Sequence, residues 1–507
     1  MHTENAGGRD SIRPSTPERF MTISKAKTFR NVMYTSLTKG ATLVCIALTS
    51  SVVARNLGPS DYGVVGFAGI IIGFLAQFSD VGVGTAAIRR PTLDQHSLRT
   101  AFTLKIILSS GAFVAAFLIA PFAHHFFEHP ATGNVIRVLA LDFLVSTIGF
   151  MSLVTLTREQ NYRALVIPGV VSAVARCTLA VTLILCGWKY WAVVFADVGA
   201  NLAGCIAVQA ARKMPIRFEF DWTDAREYLR FGVPLLGSGT MIFLLMNMDN
   251  FLVGSKMGSA KLGYYALAFT WGSFICGLLS STVNIVMLPT FSAIQDDTAA
   301  MRRWYLKTVD LVAFVAVVAN TALLANVHSF LVTFLGKGTG KWVPAATALK
   351  ILCVYGIIRV ITEPLGNCLL VRGRTKMLLH ANALAGAVEL LLILLVLRTG
   401  RIELVAAAVL VAYATQAIIY LPYLRWEFSI GFGDLVAQLW PVIPALVGGY
   451  AITSLLPDWL GGTFFTLASR GLFTAVVVAL IHGLCTRFRC FQEAGGMISP
   501  NLARVRA

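Results

Sequence analysis

Apolar runs of roughly 20 residues, the length a helix needs to cross a hydrocarbon core, follow one another from residues 36–53 to residues 464–485, about fourteen in all. Inside lipid every backbone N–H and C=O must be satisfied within the segment, so such runs fold as helices; the two-residue alternation of a barrel strand is absent. Because 56% of the 507 residues are hydrophobic and 13% charged, the connections left over are too short for a folded extramembrane module. A large soluble catalytic domain is excluded, and the sequence predicts an all-α polytopic membrane protein.

A net charge of +17 would suggest nucleic acid in a soluble chain. In a membrane chain the position of the charges matters more than their sum. If the amino terminus lies in the cytoplasm, the inner connections collect Arg89, Arg90 and Arg99, then Arg158 and Arg163, then Arg212, Lys213, Arg217, Arg226 and Arg230, then Arg302, Arg303 and Lys307, then Arg372, Arg374 and Lys376. The outer ones hold only Arg55, Lys189, Lys256, Lys261, Lys337, Lys341, Arg398 and Arg401. The positive-inside bias therefore predicts that both termini are cytoplasmic, and the charge calls for no nucleic-acid partner. Residues 1–30 read as a basic cytoplasmic tail with no secretory signal, and Met21 is an alternative start to Met1. The nine cysteines lie almost entirely in apolar runs and contain no Cys-x-x-Cys pair, so they read as small buried residues.

Laid over itself so that Gly58 falls on Gly258, Gly63 on Gly263 and Ala68 on Ala268, the chain repeats its hydropathy pattern. The matches fall at the loop joining the first two spans of each half. The sequence therefore predicts two parallel six-helix lobes, residues 31–211 and 232–424, related by an axis along the membrane normal, a plan suited to rocking around a central site. Residues 212–231 would link them through a short amphipathic helix at the inner surface. Residues 425–507 would add a C-terminal helix pair and tail.

Several segments carry a resemblance: Asp249 to Gly254 followed by Met257 to Ala268, Arg55 to Gly63, Phe78 to Gly82, Pro289 to Asp297, Gly340 to Trp342, and Gly373 with Arg374. Taken in order, they resemble the signatures of bacterial polysaccharide (Wzx-like) flippases of the multidrug/oligosaccharidyl-lipid/polysaccharide superfamily. The resemblance covers roughly Phe29 to Leu424. It implies outward transfer across the bacterial inner membrane, by alternating access, of a polyprenyl-pyrophosphate-linked oligosaccharide repeat unit for exopolysaccharide, capsule or O-antigen (lipopolysaccharide) synthesis. It also implies membrane lipids, a polysaccharide polymerase and chain-length machinery as partners.

Charged residues within the spans point to a site. A Lys, Arg or Asp at a span centre costs about 2.5–3.5 kcal/mol on insertion scales, so such groups face protein or a wet cavity. Lys39 and Lys105 lie near the inner surface and Arg137 and Arg470 near the outer one, where snorkelling accounts for them; Lys39 keeps interest because the first span of a half lines the cavity in the resembling family. Arg176 lies near the midplane. Arg359 is similarly deep, with Glu363 one helical turn on, so the two either neutralise each other or serve the site. Glu389 has no opposite charge at helical spacing, and Asp249 ends the seventh span beside Asn250; Asp142 and Asp197 either face the cavity or pair with Arg137 or another neighbour. The reading is that Arg176, Arg359 and Lys39 bind the pyrophosphate through charge-assisted hydrogen bonds. Glu363, Glu389 and Asp249 are candidates for coupling transport to a cation gradient.

Other motifs carry less. Gly82-Val-Gly-Thr has no preceding strand for a dinucleotide site. Gly336-Lys-Gly-Thr-Gly-Lys has the wrong spacing for a P-loop and is followed by Trp342. His124, His125 and His129 with Glu128 form a short loop that reads as a solvated cap rather than a metal site. No nucleophile has a base at readable spacing, so the chain reads as a non-enzyme without cofactors. The alternatives are a multidrug or cation antiporter of the same superfamily and, less favoured, a membrane polymerase or glycosyltransferase, which would need a long outer loop.

Overall fold

The computed structural model describes residues 25–127, 129–159, 161–455 and 464–486, with the side chains of the first helix described from Gly40 onward. Among these residues the chain is helical, without strands. The long helices are α1 (Lys25–Asn56), α2 (Pro59–Asp80), α3 (Gln95–Ile119), α4 (Thr132–Leu139, Leu141–Ile148 and Phe150–Arg158), α5 (Tyr162–Leu185), α6 (Tyr190–Ala211) and α7 (Trp222–Met257). They continue as α8 (Ser259–Ala293), α9 (Thr298–Ala325), α10 (Ala346–Val371), α11 (Thr375–Val396), α12 (Ile402–Phe428), α13 (Phe432–Leu439 and Val442–Ser454) and α14 (Phe464–Thr486). Among the described residues 12 helices are long and apolar enough to cross a membrane, and α4 is a further span bent by 51° between Ile148 and Phe150. With α1, whose described apolar part is Gly40–Asn56, this is the expected set of about fourteen passes. α1 begins at Lys25, inside the stretch read as tail.

In one lobe α5 packs against α1 and α6, α3 and α4 lie against α2, and α4 lies against α6; in the other, α10 sits between α8, α9 and α12, with α11 on α12. The last pair, α13 and α14, rests on α9. The lobes meet where α2 crosses α8 and α7. At the α1–α2 end, the glycines that mark the repeat pack against each other's helix: a Cβ on Gly63 would lie 2.0 Å from the Ser259 carbonyl oxygen, and one on Gly263 would lie 1.8 Å from that of Pro59. The reciprocity makes this a pseudo-two-fold contact. Beside it the Ser60 and Ser259 hydroxyls are 2.7 Å apart. Only glycine permits this approach, because any side chain would have to occupy the other helix's backbone.

At the opposite end α2 breaks. Val81 and Gly82 are both left-handed (φ 43° and 68°), and the helix resumes as Val83–Arg89. The break leaves the Ser79 carbonyl without its helical donor, and the Lys105 ammonium (3.1 Å) and Ser109 hydroxyl (3.3 Å) donate to it instead. Lys105 therefore turns into the protein, 3.6 Å from Asp80, rather than toward the surface. A Cβ on Gly232 would lie 1.8 Å from the Val81 carbonyl oxygen, so α7 packs directly on the break.

The expected separate amphipathic helix in the linker does not form. Residues 213–221 are extended, and Asp221 caps α7 by accepting from the Thr223 and Asp224 N–H groups. From Trp222 the helix runs without interruption into the membrane span, because Gly232 and Pro234 are tolerated within it. The amphipathic turns are its first turns.

Candidate functional site

In each lobe a cavity has a span arginine on its wall. The first, about 280 Å³, is walled by α1 (Thr49, Ser50, Val53), α2 (Tyr62, Gly66), α5, α6 and α8 (Thr270). Its charged pair comes from α5 and α6: an Arg176 Nη lies 3.0 Å from Asp197 Oδ1, with the two side chains 46% and 25% exposed. Arg176 is thus open to the cavity, with part of its fork free of Asp197. Asp197 was one of several carboxylates at comparable depth in the sequence, and the helical register across α5 and α6 selects it. Asp142 accepts from the Asn201 amide at 3.2 Å, and Arg137 donates to Asn134.

The second cavity, about 270 Å³, lies between α7 (Leu245, Met246), α10 (Arg359, Thr362, Glu363, Asn367), α11 (Asn382, Glu389) and α12 (Tyr413, Gln416, Tyr420). Arg359 and Glu363 are not an ion pair. Arg359 donates to the Tyr355 hydroxyl at 2.8 Å, and its guanidinium sits 5.9 Å from the ring centroids of both Tyr355 and Tyr413. Glu363 accepts from the Ser280 hydroxyl of α8. Helical spacing allowed the pair, but neighbouring helices supply each residue with another partner.

Asp249 does not end its span. α7 continues to Met257, so the carboxylate is buried, accepting from the Tyr265 hydroxyl and the Asn250 N–H, each at 2.7 Å. Glu389 is 5% exposed, lines the second cavity, and has no hydrogen-bond or ion-pair partner among the described residues. Lys39 falls within α1, but its side chain lies outside the described residues. Among the described residues no group of three His, Cys, Asp or Glu is arranged to hold a metal; Glu128, considered with the nearby histidines, lies outside them.

The loop that mimics a P-loop has a different role. It crosses from the second lobe to the C-terminus of α1. The Lys341 ammonium donates to the Arg55 and Leu57 carbonyls (2.9 and 2.8 Å), the Trp342 indole to the Ala54 carbonyl (2.9 Å), and Lys337 to the Asn56 side chain (2.9 Å). In return Arg55 donates to the Phe334 carbonyl at 2.6 Å. Carbonyls left over at a helix C-terminus are thereby capped by cations, which also suit the negative end of the helix dipole. Partial burial holds the Lys341 ammonium below the ordinary lysine range.

A profile described as "Polysaccharide biosynthesis protein" matches residues 52–346. The chain belongs to this family. It is 24% identical over 438 residues to the lipopolysaccharide biosynthesis protein WzxC of Escherichia coli (strain K12), covering 83% of this chain and 87% of that protein. The fold is that of the lipid II flippase MurJ in its inward closed conformation, with a TM-score of 0.69 at 12% identity over 93% of this chain and 100% of that one. It is also that of an inward-facing multidrug resistance transporter of the multidrug/oligosaccharidyl-lipid/polysaccharide superfamily, with a TM-score of 0.62 at 16% identity over 76% and 94%. The fold implied by the resemblance is therefore the one observed.

Proposed function

We propose that this protein is a flippase that carries polyprenyl-pyrophosphate-linked oligosaccharide repeat units across the bacterial inner membrane, for exopolysaccharide, capsule or O-antigen synthesis. The observation that carries the reading is a cavity in each lobe with a deep arginine on its wall, in a body whose lobes are pinned together at one end. Taking the basic connections as cytoplasmic, the pinned α1–α2 end is the outer one. Residues 31–211 and 232–424 would then rock as two lobes about the 212–231 linker, with residues 425–507 as an accessory pair and tail.

Arg176, Arg359 and Lys39 would hold the pyrophosphate, each guanidinium offering a fork of donors to its oxygens. Sugars would occupy the two cavities. The polyprenyl tail is too apolar for them and would remain in lipid or along the apolar recess of about 260 Å³ formed by Ile361, Leu365, Leu421, Leu424 and Leu439, which shares Thr362 and Tyr420 with the second cavity. Glu389, with Asp249 and Glu363 nearby, would bind the proton or cation that drives return of the empty carrier, since a buried carboxylate without a partner gains most from neutralisation. A polymerase and chain-length machinery would take the product at the outer face.

Deleting the gene should make lipid-linked repeat units accumulate on the inner leaflet, and complementation should clear them. Normal surface polymer in the deletion strain, with sensitivity to a cationic drug instead, would favour the antiporter.

A further inference from the structure

The connection between the lobes carries two features that the transport reading does not use. Its extended stretch presents Ile216, Phe218 and Phe220 in alternation, 54%, 67% and 47% exposed, and Trp222, the first residue of α7, follows them at 66%. The residues between them are polar and face the protein or solvent: Glu219 bonds Arg99 and His96, and Asp221 caps α7 while its N–H donates to Thr100. The backbone is fixed to the first lobe, for Gln209 donates to the Met214 carbonyl and Ser152 to the Arg212 carbonyl, both at 2.7 Å. A period-two segment with a row of apolar side chains turned outward has a partner of its own.

Immediately before this row, the chain lines a polar cavity of about 510 Å³ with Arg99, Arg212 and Lys213 on its wall. Among the described residues the Arg212 side chain is held by Glu159 alone, at 3.0 Å and with both side chains about half exposed, a pair that solvent keeps weak and a competing anion can displace. Lys213 and Arg217 are exposed. We propose that this surface binds an anionic phospholipid of the inner leaflet, its phosphate in the basic cavity and its acyl chains along Ile216, Phe218, Phe220 and Trp222. Basic cavity and apolar row are contiguous in the chain, matching the head and tail of one amphiphile. Aromatic side chains favour the headgroup–acyl boundary, and basic clusters at the cytoplasmic face attract acidic lipids. The linker, with the first lobe to which it is bonded, is then moored in the membrane surface while the second lobe moves.

The test uses the intact protein in nanodiscs containing phosphatidylglycerol with a diazirine in its acyl chain, followed by photolysis and peptide mapping. Adducts are expected on residues 216–222. The double variant Arg212→Gln, Lys213→Gln should lower their yield several-fold, and Arg217→Gln should lower it less, while labelling of the lipid-facing side of α5 stays constant as the control for folding. The same diazirine on phosphatidylcholine should label the segment several-fold less. An unlabelled segment, equal labelling by both lipids, or a yield unchanged in the double variant would each overturn the proposal. Export of the repeat unit does not enter the measurement, so failure here leaves the flippase reading standing.

Discussion

Arg176 was legible in the sequence as a cation too deep to reach either surface, but not as half of a pair, because Asp197 comes from the next helix. The pairing offers a rival explanation: Arg176 could serve only to neutralise Asp197. Two variants separate these roles. Arg176→Ala should abolish surface polymer while membrane insertion persists, and if Arg176 grips the substrate, Arg176→Ala with Asp197→Asn should be equally inactive. Recovery of polymer in the double variant would reduce Arg176 to a counter-ion. Because Arg176 is 46% exposed, loss of the pair should cost only about 1 kcal/mol of stability, which melting in detergent would measure. At Arg359 the expectation concerns coupling. A double-mutant cycle in stability between Arg359→Met and Glu363→Gln should close to within about 0.5 kcal/mol, since the two have separate partners. The cycle with Tyr355→Phe should show about 1 kcal/mol, from the hydrogen bond that the hydroxyl accepts from Arg359.

The connecting elements were the least legible part. Periodicity in the linker suggested a helix, yet Asp221 is a better N-cap than helix interior, and a period-two row precedes it. Salt-bridge geometry there predicts a pH effect. Hydrogen bonds from Arg99 and then His96 hold the Glu219 carboxyl below its ordinary range. A carboxyl depressed by folding stabilises the protein above its unfolded pKa, roughly 4.3, and that contribution is lost as pH falls through the lower folded value. Wild type should therefore melt above Glu219→Gln near neutral pH, with the difference vanishing in acid; a constant difference would mean the carboxylate acts by packing alone. The loop ending in Lys341 and Trp342 looked like a nucleotide motif because Gly and Lys serve both purposes. In the fold the cations cap α1 instead. Lys341→Met should loosen this end of the lobe contact, seen as faster modification of a Ser60→Cys reporter by a membrane-impermeant maleimide.

For the whole molecule, the decisive contact is the crossing of α2 and α8 at Gly63 and Gly263. Gly263→Val should prevent close approach and abolish export, because its side chain would meet the Pro59 backbone rather than a yielding side chain. A pair of cysteines replacing Ser60 and Ser259 should form a disulfide that stops export, with activity restored by a reductant. Export that persists with the bridge intact would show that the lobes need not part at this end.

Hydropathy, charge bias and the repeat by themselves determined that this chain is a bundle of about fourteen membrane helices in two related lobes, because lipid leaves an apolar segment one way to satisfy its backbone. They also marked the depth of each charge along its own helix. Only the tertiary structure decided which charges meet: Arg176 with Asp197, Arg359 with two tyrosines, Glu363 with Ser280, Lys341 with the end of α1. Helical spacing fixes neighbours within one helix, whereas partners across helices depend on rotation and close packing, which the sequence records only where glycine lets backbones touch.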